Sequence, residues 1–199
     1  MAVVSVVLGV TFSQATWALV VVAWAAWVFL GSGRIRPEPG DRHEDRGTLV
    51  WVWAVTGGSL VIGISLAFAV PWARLPGEPW LARVVGSLVA LSGIALREWA
   101  ILTLGRLFTQ SVMVRERHVV VASGPYRVLR HPAYTGTLLT LVGLMLTLDN
   151  WLSVVAVTVG FFAGHIPRIR VEERVLEENL GESYREFERT HKRIVPGVW

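Results

Sequence analysis

The stretch "GPYRVLRHPAYTG" (124–136) sets Arg130 and His131 side by side, directly before an apolar run that continues through Leu148. A guanidinium can grip a carboxylate through two parallel hydrogen bonds, and an imidazole can donate, accept or carry a proton near neutral pH. Pro132 suits the first turn of a helix beginning near Ala133, and a helix start presents unpaired amides, so this corner attracts anions. Taken alone, the pair reads more readily as a juxtamembrane contact with lipid phosphate. A second group changes that balance. In "HIPRIRVEERVLEE" (165–178), Glu172 and Glu173 follow Ile169 by three and four residues, beside an apolar stripe that includes Leu176. If the intervening chain is a helical hairpin, acid, arginine and histidine converge at one membrane-edge pocket. Such a set orients a carboxylate, or takes a proton from an amine or thiol.

Several reaction classes drop out. The chain has no cysteine, which removes thiolate metal sites and a cysteine nucleophile. It contains no H-E-x-x-H and no G-x-S-x-G, and "GSGRIR" (31–36) lacks the preceding strand of a dinucleotide fold. His43, His118, His131, His165 and His191 are too scattered to suggest a metal centre. Lys+Arg exceed Asp+Glu only by 19 to 15, so the basic character does not imply a nucleic acid partner.

The elements that must position these residues are membrane helices. Hydrophobic residues make up 53% of the 199 and mean hydropathy is +0.50, too apolar for an ordinary soluble domain. Segments 2–30, 48–72, 80–104 and 133–166 have the length for hydrocarbon burial, and Asp149-Asn150 splits the last into 133–148 and 151–166. Each half spans about 24 Å against a bilayer core of about 30 Å, so a tight hairpin turning at Asp149-Asn150, with Trp151 at the interface, is expected. The expected fold is all-α: a polytopic membrane protein of five transmembrane helices with a C-terminal hairpin. Residues 168–193 are expected to form an amphipathic cytoplasmic helix, bent near Gly181, and the plainest role of such a helix is a surface element on the membrane. Met1 leads straight into apolar sequence, so 2–30 reads as a retained span rather than a cleaved leader. Arg97 and Glu98 fall inside the third segment and point about 100° apart, which argues against their pairing with each other.

Sixteen of the nineteen basic residues fall in the first loop, the third loop and the tail. Five spans put those three regions on one side, the cytoplasmic one, with the N-terminus outside. The expected location is the cell membrane, with the site facing the cytoplasm.

The residues also carry a family resemblance. "HVVVASGPYRVLRHPAYTG", the hairpin and "EERVLEENLGESYREFERTHKRIVPGVW" resemble the isoprenylcysteine carboxyl methyltransferase family, related to phospholipid methyltransferases, over about residues 90–199. The combined G-P-Y-x-x-x-R-H-P-x-Y-x-G, E-E-x-x-L and G-x-x-Y pattern is specific to this group. "LREWAILTLGRLFTQ" (96–110) is similar more loosely, and the first two spans match only in hydrophobicity. The resemblance implies one methyltransferase domain over 1–199, with a variable transmembrane part (1–89) and a family-like cofactor and catalytic part (90–199). It implies S-adenosylmethionine as cofactor, enclosed by the loop before the hairpin, the Arg-His-Pro turn and the helix after it. Carried onto this chain, His118, Val121, Gly124, Tyr126, His131, Pro132, Tyr134 and Glu173 are the cofactor-pocket candidates. Arg130 and Glu172 are the catalytic or substrate-orienting candidates.

The implied partners are membrane lipid and a lipophilic methyl acceptor, with no obligate protein partner. A prenylcysteine-like carboxylate needs no base, because it is already an ionised nucleophile near pH 7. Alignment for in-line displacement and exclusion of water then carry the catalysis. A lipid amine or small thiol would need Glu172 or His131 as base. A non-catalytic binding protein retaining the fold is the alternative outside the enzyme class.

Overall fold

The computed structural model describes residues 42–43, 47–108, 113–114 and 120–195. The expected first span, 2–30, lies outside the described residues. The described residues form five α-helices: α1 (Thr48–Ala69), α2 (Pro79–Leu104), α3 (Pro132–Thr147), α4 (Trp151–Leu180) and α5 (Glu182–Thr190). A two-residue antiparallel ladder pairs β1 (Arg42–His43) with β2 (Met113–Val114). By length and composition α1, α2 and α4 can each cross a membrane, and α3 is a shorter apolar helix.

The helices meet through small residues, as expected where hydrocarbon rather than water surrounds them and close van der Waals contact must hold helices together. Gly86, Ala90 and Gly93 on α2 face Gly136, Thr140 and Gly143 on α3. A Cβ added at Gly93 would lie 2.6 Å from the carbonyl oxygen of Gly136, and one added at Gly86 2.7 Å from that of Gly143. The α1–α4 seam has the same logic: Ser59 fits over Gly160, and Thr56 lies beside Gly164.

The hairpin turn falls where the sequence places it. Asp149 takes φ 56°, a left-handed conformation that aspartate tolerates. Asn150 then caps α4, its Oδ1 accepting from the Ser153 amide at 3.1 Å. The Asn150 Nδ2 donates to the Val70 carbonyl at 3.0 Å, and Ser153 Oγ donates to Gly63 at 2.6 Å. These bonds tie the turn to the end of α1. With that end fixed, the opposite end of the hairpin is where Arg130 and Glu173 emerge.

The charged tail is continuous with the second arm of the hairpin: α4 runs unbroken from the apolar segment through Pro167 to Leu180. Proline has no N–H to offer the carbonyl four residues earlier. Trp51 supplies the missing donor, its Nε1 giving a 3.1 Å hydrogen bond to Ala163 O. The helix stops at Gly181 (φ 57°), the expected bend, and α5 turns back from there. Its Tyr184 and Phe187 are buried with Ala100 and Tyr126.

One expectation needs correction: Arg97 and Glu98 do pair, Nη1 to Oε1 at 3.0 Å. Their Cβ vectors diverge, but the long arginine side chain bends along the helix. Inside an apolar bundle an unpaired charge is the costlier alternative.

Candidate active site at the mouth of the hairpin

Residues 124–127 form a 3₁₀ turn that delivers the chain from α2 to the start of α3. Gly124 has φ 53°, and a Cβ there would sit 2.8 Å from Thr103 Oγ1, so this position needs glycine for both conformation and space. Behind the turn Tyr126 is buried, with Val121 and Ala133 packed on the same apolar cluster. Burial, and then the charge of Glu172, raise the Tyr126 phenol above its ordinary pKa and keep it protonated. Pro132 starts α3, as its fixed φ favours, and is buried.

Arg130 and His131 are held from both sides. Their backbone amides donate to the carbonyls of Lys192 (2.8 Å) and Arg193 (3.0 Å), so the segment after α5 lies along them as a strand-like strap. Thr135 Oγ1 donates to Ile194 O at 2.9 Å, and Ile194 is wholly buried. The side chains converge on Glu173. Its carboxylate meets His131 Nε2 at 3.1 Å, Arg130 Nη1 at 3.2 Å and Arg193 Nε at 2.8 Å. Glu188, one residue after Phe187 on α5, takes a further hydrogen bond from Arg130 Nη1. The Glu173 and Arg130 side chains are only 8% and 7% exposed, so this is a buried ion cluster rather than a surface pair. Its hydrogen bonds to Glu173 hold the Arg193 guanidinium above its ordinary pKa.

Glu172 belongs to a different cluster. Tyr134 donates to its Oε2 at 2.8 Å and accepts from Arg168 Nε at 2.9 Å; Arg168 Nη1 reaches Thr48 Oγ1 on α1 at 3.3 Å. The Tyr134 ring stacks on His131 at 5.5 Å, which places the two clusters side by side. Adjacent residues on α4 point about 100° apart, so one acid serves the Arg-His corner and the other the tyrosine.

The structure thus gathers Val121, Gly124, Tyr126, Arg130, His131, Pro132, Tyr134, Glu172 and Glu173 at one end of the hairpin; His118 lies outside the described residues. The acid that engages Arg130 is Glu173, joined by Glu188. Sequence reasoning missed Glu188, Arg193 and Arg168 as members of these clusters. Tyr184 was also missed, although the G-x-x-Y pattern contains it. The other three sit in a tail where charges are dense, and no spacing singles them out.

Apolar helices long enough to span a bilayer, with a buried ion cluster at the mouth of their hairpin, define an all-α integral membrane protein. Residues 85–178 match the model of the isoprenylcysteine carboxyl methyltransferase (ICMT) family. A probable protein-S-isoprenylcysteine O-methyltransferase from Oryza sativa subsp. indica is 32% identical over 146 residues, 67% of this chain and 76% of its own length. Protein-S-isoprenylcysteine O-methyltransferase B of Arabidopsis thaliana is 35% identical over 61% of each chain. A solved structure of the eukaryotic intramembrane Ras methyltransferase ICMT aligns with TM-score 0.60 at 28% identity, over 73% of this chain and 52% of that one. The chain belongs to the isoprenylcysteine carboxyl methyltransferase family.

Proposed function

We propose that the protein transfers a methyl group from S-adenosylmethionine to the carboxylate of a prenylcysteine-like, lipophilic acceptor at the cytoplasmic edge of the cell membrane. The observation that carries this reading is the buried Arg130–His131–Glu173–Arg193 cluster, set where a lipid-borne substrate and a water-borne cofactor can meet. The basic loops and tail favour the cytoplasmic side.

The residues present fit the cofactor. Its amino-acid carboxylate needs donors, and Arg130 Nε is buried without a hydrogen-bond partner among the described residues. Its cationic groups need acids, and Glu172 and Glu173 stand at the same mouth. The apolar wall of Tyr126, Val121 and Leu176 suits an adenine ring. Bound there, S-adenosylmethionine supplies an electrophilic methyl group on a sulfonium.

The chain's own contribution is orientation and exclusion. Glu173 and Glu188 both contact Nη1 of Arg130, which leaves the Nε edge of its guanidinium to one carboxylate, the cofactor's or the acceptor's. The acceptor carboxylate is ionised near pH 7, so no residue has to remove a proton. The strap at 192–194 and the Tyr184–Phe187 cluster cover the site and limit competing water. Glu172, hydrogen-bonded to Tyr134, sets the position of the ring that stacks on His131. Val121, Gly124 and Pro132 shape the wall and the turn, and residues 1–89 supply the more variable membrane part.

The test is methyl transfer from labelled cofactor in proteoliposomes to a prenylcysteine analogue, with its carboxamide as control. A carboxyl methyl ester releases volatile methanol in base, whereas methylated amines and thioethers do not. Base-labile label with the acid and none with the amide is expected. Label that survives base, or no transfer to the acid, would refute the reading.

A further inference from the structure

Two polar atoms in this region have no hydrogen-bond partner among the described residues although each is buried: Arg130 Nε and the hydroxyl of Tyr184. Tyr184 is 3% exposed and the Arg130 side chain 7%. Leaving a buried donor without a partner carries its full desolvation penalty, so two in one neighbourhood call for an explanation. They share a neighbourhood through α5: Tyr184 and Glu188 lie one helical turn apart, and Glu188 holds Arg130. The phenol is also within electrostatic reach of Glu173, Glu172 and Arg130. Burial, then the charge of Glu173, raise its pKa, so it stays protonated and is available as a donor. The ring itself is fully used, packed with Ala100, Tyr126 and Phe187. Only the hydroxyl is unspent, and packing alone would be served as well by phenylalanine.

We infer that the Tyr184 hydroxyl and Arg130 Nε together form a seat for one carboxylate of a bound ligand. Two donors, one on a guanidinium, match the paired oxygens of a carboxylate. Resting on the methyltransferase reading above, the inference adds Tyr184 to the ligand-binding residues. Both the acceptor and the amino-acid end of the cofactor present this chemistry.

Tyr184→Phe separates the sources without disturbing the core. In ligand-free protein the variant removes an unsatisfied buried hydroxyl, so its thermal midpoint should equal or exceed that of the wild type. Two quantities are then read: calorimetric affinity for S-adenosylhomocysteine, and KM for the prenylcysteine analogue. If affinity falls about tenfold or more with acceptor KM unchanged, the seat holds the cofactor carboxylate. A decarboxylated thioether analogue should then bind both proteins alike. If KM rises about tenfold or more with S-adenosylhomocysteine affinity unchanged, the seat holds the acceptor carboxylate. A variant equal to the wild type in both measurements overturns the seat. So does a ligand-free midpoint that drops by several degrees, because the hydroxyl then has a partner within the protein. Failure of the parent reading looks different: the wild type itself neither binds S-adenosylhomocysteine nor methylates the analogue.

Discussion

Replacing Glu173 with glutamine should unfold the site as well as weaken it. In the native protein this one carboxylate faces Arg130 Nη1 at 3.2 Å, Arg193 Nε at 2.8 Å and His131 Nε2 at 3.1 Å, with only 8% of its side chain exposed. Glutamine keeps a single acceptor oxygen and no charge, so both arginines lose their shared counter-ion. Breaking a buried ion pair by removing one partner costs about 3–5 kcal/mol. Two features moderate that figure: Arg130 keeps Glu188, and Arg193 is 30% exposed and can rehydrate. A loss of about 2–3 kcal/mol is therefore expected, at or just below the lower bound of the buried-pair range. At about 2–4 °C per kcal/mol for a chain of this size, the midpoint of thermal unfolding should fall by about 4–12 °C. Ten tryptophans make intrinsic fluorescence of the detergent-solubilised protein a direct readout. Glu172→Gln is the internal control. Glu172 receives one tyrosine hydroxyl at 2.8 Å, which the amide oxygen can still accept, so a change within about 1 kcal/mol is expected. Equal effects of the two substitutions, or an unshifted midpoint for Glu173→Gln, would refute the assignment of Glu173 as the hub that closes the strap onto Arg130.

Three further outcomes follow from the same geometry. Arg130→Lys keeps a charge for Glu173 but loses the planar fork, so turnover with the prenylcysteine analogue should fall at least about tenfold, or about 1.4 kcal/mol of transition-state stabilisation; a wild-type rate would dispose of the carboxylate clamp. Gly93→Ala drives a methyl group against the Gly136 carbonyl and the Thr140 amide; overpacking of this kind costs about 1–3 kcal/mol, and detergent unfolding should show α2–α3 loosened. Ile194→Ala removes the fully buried side chain that anchors the strap at a cost of about 2–5 kcal/mol and should weaken S-adenosylhomocysteine binding; calorimetry on folded variant at low temperature reads the second effect separately.

The membrane helices, the hairpin turn and the identity of most site candidates were legible in the sequence because their causes are local. Apolar runs of bilayer length must be helices, since no other open structure satisfies its own backbone in lipid. Asp149-Asn150 interrupts such a run with a residue that tolerates a left-handed backbone and one that caps the next helix. The Arg-His-Pro turn and the paired glutamates stand in short, specific patterns. What tertiary structure alone decided is which charge meets which. Glu172 and Glu173 are chemically identical neighbours, and only the rotation of α4 against α3 sends one to Tyr134 and the other to Arg130, His131 and Arg193. Whether α4 could run past Pro167 depended on Trp51, whose indole satisfies the Ala163 carbonyl that proline leaves open although the two residues are 112 positions apart along the chain. Glu188 and Arg193 became members of the cluster because α5 folds back at Gly181 and the segment after it pairs with residues 129–131. Helix formation is written in spacing along one segment, whereas the choice of partner in a low-dielectric interior is made by the packing that brings distant segments within hydrogen-bonding distance.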